Sequence, residues 1–184
     1  MIPEKENSRL SKLLSYTLRH NPQAMGIELD ENGWTDVNVL LQKIAANGEN
    51  ITIDILKHVV STNAKQRFGF NADKSMIRAN QGHSVEVELD YPAIQPPEIL
   101  YHGTVGQFIP AILKEGLQKM DRHHVHLSPD TETAVKVGAR RGKPVILKIK
   151  AGDMFLKGYF FYVSANGVWL TDTVPPEFIE GIPV

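Results

Sequence analysis

Apolar residues near the N-terminus recur with the period of a helix: Leu10, Leu13, Leu14, Thr17 and Leu18 fall at i, i+3, i+4, i+7 and i+8. This pattern predicts an amphipathic helix capped by Asn7 or Ser8. It should end before Pro22, because the residue preceding a proline is pushed out of the helical region. Arg19 and His20 then lie in its last turn. Asn32-Gly33 reads as a turn. Thr35 or Asp36 opens a second helix with Val37, Leu40, Leu41 and Ile44 inward, closed by Asn47-Gly48. Thr52 or Asp54 opens a third, carrying Ile55, Leu56, Val59 and Val60. Arg67–Phe70 and Met76–Arg78, separated by a polar loop, predict a hairpin. Three helices followed by a hairpin is the order of a winged helix, and a generic small α+β lobe fits the same pattern.

Val85, Val87 and Leu89 alternate with Glu86 and Glu88, which predicts one more strand. The proline-rich segment from Asp90 to Pro97 follows and marks a boundary between two lobes. The expected division is residues 1–90, a linker over 91–98, and residues 99–184. In the second lobe the pattern favours strands: Ile99–His102, the His124–Leu127 stretch, and Val145–Ile149. Tyr159–Ser164 and Val168–Thr171 should form a hairpin about Ala165-Asn166-Gly167. Helices are expected over Gln107–Glu115 and, with Ser128 as cap and Pro129 in its first turn, on to about Arg141. The fold class is α+β with a mainly antiparallel sheet.

The polar positions fall at the ends of these elements. Ile99–His102 runs into Gly103 and Thr104, where a glycine permits close approach of backbone to a ligand. In the second stretch His124 and His126 point one way and His123 and Val125 the other. Two polar strand ends of this kind predict a cleft. Arg19, His20, Arg67 and Arg140 or Arg141 each sit where a segment ends. Cations at a helix C-terminus interact favourably with its dipole, and arginines can equally cage a phosphate, whose oxygens match the guanidinium fork. Spacing leaves both open. Gln81-Gly82-His83-Ser84 is either a plain connecting turn or a contact to an anion.

Composition removes several chemistries. With no cysteine among 184 residues there is no thiol nucleophile, disulfide or thiolate metal site. The Arg122–His126 run carries three histidines but no companion at metal-binding spacing, so no metal is expected. Ser128 lacks a nucleophile elbow, and no Walker A or dinucleotide glycine loop occurs. Residues 1–90 carry ten Lys and Arg against twelve Asp and Glu, net −2, and residues 91–184 are net +1. Neither half is a basic body that coats nucleic acid, so phosphate recognition must rest on a few placed cations. The N-terminus lacks an apolar leader and no run is long enough to span a bilayer, which predicts a cytoplasmic protein. No heptad seam is present, so a monomer is expected.

Six motifs occur in order: the S-x-x-L-S-Y-x-L-R-H-N-P stretch (Ser11–Pro22), K-Q-R-F (Lys65–Phe68), Q-G-H-S (Gln81–Ser84), Y-H-G-T (Tyr101–Thr104), H-V-H-L-S (His124–Ser128) and G-A-R-R-G-x-P-V (Gly138–Val145). Together they resemble the NAD-dependent RNA 2′-phosphotransferase family over essentially the whole chain. The resemblance implies an N-terminal winged-helix-like RNA-binding lobe and a C-terminal ADP-ribosyltransferase-like lobe. It also implies a reaction with NAD as consumed co-substrate and without metal. The RNA 2′-phosphate attacks the nicotinamide ribose and expels nicotinamide, giving a 2′-phospho-ADP-ribosylated RNA. The ribose 2″-OH then attacks the phosphorus, freeing the RNA and ADP-ribose 1″,2″-cyclic phosphate.

The family's Arg-His-Arg-Arg tetrad maps by resemblance onto Arg19, His20, Arg67 and Arg140, with Arg141 adjacent. His102, Gly103, Thr104 and Ser128 would bind NAD. Gln81, Gly82, His83, Ser84, His124 and Arg141 are further candidates for the cleft or the substrate phosphate. The partners implied are RNA with an internal 2′-phosphate, as in tRNA, and NAD. Two other functions suit the same residues: ADP-ribosylation of a terminal nucleic-acid phosphate or a protein, and a winged-helix binding module that only senses NAD.

Overall fold

In the computed structural model, which describes residues 2–180, helix α1 spans Glu4–Arg19 and buries Leu10, Leu14 and Leu18. Each buried leucine contributes about 1.5–3 kcal/mol relative to an exposed one. The helix starts earlier than the capping residues predict. Its cap position is Pro3, which offers no side-chain acceptor, and acidic Glu4 and Glu6 in the first turn complement the dipole instead. The C-terminal end is as expected: Pro22 opens a short 3₁₀ turn, and the Asn21 side chain accepts from Ala24 N at 3.1 Å.

Strand β1 (Trp34–Asp36) leads into α2 (Val37–Ala46), whose cap is Asp36, accepting from the N–H groups of Asn38 and Val39. Thr52 caps α3 (Ile53–Ser61) by accepting from Ile55 N. The expected hairpin is β2 (Phe68–Phe70) and β3 (Met76–Ala79). β1 joins it to give the antiparallel order β1-β3-β2, and Arg78 lies over the Trp34 ring at 4.5 Å, a cross-strand cation–π pair. One apolar cluster ties α1, α2 and α3 to this sheet through Leu18, Leu40, Leu56, Phe68 and Ile77.

The alternating segment Val85–Leu89 is not a strand. Its period-two pattern is real, and Val87 is buried, but the segment joins no sheet ladder. The contacts that hold it lie outside any ladder, among them Glu88 N donating to Glu31 O and the Asn32 side chain donating to Glu88 O. Alternation alone does not make a strand without an edge to pair with.

The chain divides into two compact units, the first ending at Asp90 and the second starting at Tyr91. Residues 91–98 pack with the second unit: Ile94 donates to Phe161 O, and the Tyr91 hydroxyl accepts from Ala165 N.

In the second unit β4 (Leu100–Val105) precedes α4 (Ile109–Glu115), which stops at Gly116 with φ +74°. Then come β5 (Leu117–Gln118), β6 (Val125–Leu127), α5 (Thr131–Gly138) and β7 (Pro144–Ile149). The chain finishes with α6 (Ala151–Leu156), β8 (Tyr162–Val163), β9 (Trp169–Thr171), β10 (Thr173–Val174) and β11 (Ile179–Glu180). The sheets are β11-β7-β4, β6-β9-β8 and β10-β5, all antiparallel. Tyr101 and Ser128 exchange two backbone hydrogen bonds of 2.8 Å, which ties β4 to the chain leaving β6. The core holds Leu100, Leu127, Leu147, Ile149 and Phe161.

Ser128 does not cap α5. Asp130 does, accepting from Thr133 N at 2.7 Å, and Pro129 lies before the helix. Ser128 is engaged through its backbone in the bridge to Tyr101, so the capping role passes to the next side chain with an acceptor, two residues on.

A candidate phosphate site and a candidate dinucleotide site

Arg19 and His20 are the last residues of α1 and its C-cap, while Arg67 immediately precedes β2. The first unit brings the three together at one end of a groove of about 540 Å³. The backbone around Arg67 is tightly specified. Asn63, buried in the turn after α3, accepts from Arg67 N and from its guanidinium through one amide oxygen, at 3.3 and 3.4 Å. The amide nitrogen of Asn63 donates to Ser11 Oγ on α1 at 2.8 Å. Gln66 adopts φ +42°, a strained conformation for a residue with a side chain, held by Gln66 N donating to Asn63 O and Asn80 Nδ2 donating to Gln66 O. Arg67 O in turn accepts from Asn80 N at 2.8 Å and from the Arg19 guanidinium at 3.4 Å. Arg19 also lies 6.0 Å from the Phe68 ring centroid.

This network makes Asn63 a positioning residue for Arg67. Asn63→Ala should lower kcat about tenfold while raising KM little. Asn63→Asp keeps one acceptor facing Arg67 and should recover part of the loss, an outcome that a purely structural role would not give.

The Gln81–Ser84 turn folds back on the end of α1. Ser84 N donates to Arg19 O at 2.8 Å, satisfying a terminal helix carbonyl, and Ser84 Oγ is 2.9 Å from His20 Nδ1. Gly82 supplies the φ of +82° that the turn requires. Ser84 therefore orients the His20 ring. His83 has a different place from the one the motif suggests: it is 1 % exposed, beside Val87 and against Gly33. A ring so enclosed cannot line a surface that binds substrate. It belongs to the interior.

In the second unit His102 lies on β4 and its Nδ1 is 3.0 Å from the carbonyl oxygen of His126. A carbonyl only accepts, so Nδ1 carries the proton, and burial pushes the His102 pKa down. The neutral ring then presents Nε2 as an acceptor, suited to a ligand hydroxyl. Arg122 donates to His126 Nδ1 at 3.3 Å. Burial lowers the Arg122 pKa, as do the charges of Arg141 and Arg140, so three guanidiniums share one neighbourhood. Arg140 and Arg141 form a 3₁₀ turn after α5. Arg122 enters here as a further candidate that the sequence motifs did not single out. Its only signal was a place beside a histidine run considered for metal.

Gly103 serves packing. A Cβ there would come within 1.8 Å of the Ala134 carbonyl oxygen, so the absent side chain makes room for α5 rather than for a ligand. Thr104, on the same strand, is buried at 8 % exposure. His124 lies outside β6, edge-to-face with Tyr162 at 5.6 Å and 3.9 Å from Asp172. Burial lowers its pKa and Asp172 partly offsets that. Among the described residues no three His, Cys, Asp or Glu side chains gather as a metal site, and no helix is long and apolar enough to cross a membrane.

Comparison with known proteins concerns the chain as a whole. The family described as RNA 2′-phosphotransferase, Tpt1/KptA, matches residues 5–173. A Flavobacterium johnsoniae protein named probable RNA 2′-phosphotransferase is 56 % identical over 171 residues, 93 % of this chain and 94 % of the relative. Proteins of the same name from Burkholderia pseudomallei and Hahella chejuensis are 54 % and 51 % identical, each alignment covering at least 94 % of both chains.

Proposed function

We infer that this chain, which belongs to the RNA 2′-phosphotransferase, Tpt1/KptA family, removes a 2′-phosphate from RNA by transferring it to NAD. The observation that carries this reading is the convergence of Arg19, His20 and Arg67 on one end of a groove. A phosphomonoester dianion needs donors that stay charged and match its oxygens, and two guanidiniums supply them. Held by both, the phosphate oxygens are aligned for attack and their developing charge is stabilised. His20, oriented by Ser84, donates a further hydrogen bond or moves a proton during release of the RNA 2′-hydroxyl.

NAD would supply the electrophilic ribose carbon and nicotinamide as leaving group. The residues of the second unit suit such a dinucleotide: His102 offers an acceptor for a ribose hydroxyl, and the arginines around His126 favour an anionic group. In the same way the helices and hairpin of the first unit support a winged-helix reading, and the antiparallel sheets of the second an ADP-ribosyltransferase-like one.

The fourth arginine is open to direct test. Arg122 is hydrogen-bonded beside the His102 acceptor, whereas Arg140 and Arg141 have no hydrogen bond of that kind. Arg122→Ala should lower turnover about 10²-fold, and Arg140→Ala and Arg141→Ala less than tenfold each. Single-turnover assays on the three variants decide it. A larger loss for Arg140→Ala restores the assignment made from the motif.

The function itself is tested with a short RNA bearing one internal 2′-phosphate, incubated with and without NAD and without added metal. Loss of the phosphate together with nicotinamide release is the expected result. An RNA that gains ADP-ribose and stops there would favour an ADP-ribosyltransferase. Folded protein that binds NAD and changes neither molecule would leave only a binding module.

A further inference from the structure

We propose that the groove continuing along α1 from Arg19 and Arg67 is a track for the RNA strand adjoining the phosphorylated nucleotide, with Lys12 as its phosphate contact. The inference rests on the function proposed above and adds to it a second subsite. Ser8, Ser11, Lys12 and Ser15 line the groove from α1. With Arg19 they stand at the three- and four-residue spacing that keeps side chains on one face of a helix. From Ser8 to Arg19 this face is about 16 Å long, far more than one phosphate occupies. Leu10, Leu14 and Leu18 take an adjoining, buried stripe of the same helix, and the residues that α1 turns toward the groove are polar along its length.

The other wall comes from the turn after α3, where Thr62 and Asn63 are tied back to α1. Asn7 donates to Thr62 Oγ1 at 3.0 Å and Asn63 to Ser11 Oγ at 2.8 Å. These bonds fix the walls before any ligand arrives. Because Ser11 Oγ accepts from Asn63, its own proton is left to donate.

The chemistry favours a sugar–phosphate backbone over bases or a peptide. Hydroxyls, two amides and one ammonium are groups that contact phosphate and ribose without reading sequence. Among the described residues Tyr16 and His20 are the aromatic rings lining the groove, both at its Arg19 end, so no row of stacking platforms for splayed bases runs along it. Glu4 at the far end has the wrong sign for a phosphate and marks where the track stops.

The test compares two RNAs carrying one 2′-phosphate, a trinucleotide and a strand extended at both ends. For Lys12→Ala the KM of the long RNA should rise about tenfold with kcat retained, and the trinucleotide's KM should move less than twofold. Binding of the long RNA should also lose about 0.7 from its log–log salt slope, the share of one phosphate contact on a single strand. Ser8→Ala/Ser15→Ala, which improves helix propensity and so should not unfold the chain, is expected to show the same length-dependent loss. Equal effects on both RNAs, or none, overturn the track. Should the wild-type chain turn over neither RNA, the function proposed above fails on its own. The track is then judged by titrating the long RNA without its 2′-phosphate: weaker binding by Lys12→Ala supports it, unchanged binding overturns it.

Discussion

Arg67→Ala is expected to lower kcat for removal of an RNA 2′-phosphate by about 10²–10³-fold, the scale of losing one preorganised donor to a developing charge. The Tm should stay within a few degrees of wild type. Core packing at this point belongs to Phe68, which is buried, whereas the Arg67 side chain lines the groove. The surrounding network holds the side chain in place: Asn63 accepts from the Arg67 backbone N–H and guanidinium, and the preceding Gln66 takes a positive φ. Arg67→Lys keeps the charge but loses the fork, so it should recover only part of the activity. A variant that unfolds, yet whose remaining folded fraction turns over normally, would make Arg67 a structural residue and end the cage argument there.

The second large effect is on stability. Gly103→Ala should destabilise the second unit by about 3 kcal/mol or more, because the new methyl would stand 1.8 Å from the Ala134 carbonyl oxygen and α5 would have to move off β4. For a unit of this size that corresponds to a fall in Tm of more than about 10 °C. The Gly138 N–H lies only 2.9 Å from the same added atom, so backbone on both sides blocks relaxation. Gly106→Ala is the control: nothing lies within 4 Å of its Cβ position, and its Tm should be unchanged. If Gly103→Ala instead melts like wild type and only weakens NAD binding, the glycine serves a ligand, as its motif first suggests.

Much of the candidate site was legible before any coordinates because it is carried by chain-local features. Pro22 stops α1 after Arg19 and His20, which puts a cation and an imidazole at a helix end. Asp36 and Thr52 cap the helices they were expected to cap. The Gly167 turn joins β8 to β9 at the expected place, with φ +77°. Six motifs in order pointed to the family to which the chain belongs. Such signals survive folding because each depends on neighbours within a few residues.

What failed to show in the sequence depends on partners far along the chain. Val85–Leu89 alternates like a strand but meets no sheet edge, so it stays irregular. His83 looks like a ligand contact inside Gln81–Ser84, yet packing against Gly33, fifty residues earlier, buries it. Gly103 reads as room for a ligand in the sequence, whereas α5 occupies the space beside it. Arg122 becomes a candidate only where His126, Arg140 and Arg141 come together. Local sequence sets where helices end, which turns bend and which residue types can grip a phosphate, since backbone sterics and local hydrogen bonds act within a turn or two. Tertiary structure alone decided which of those residues face a ligand, since burial and charge proximity are properties of side chains that meet across long stretches of chain.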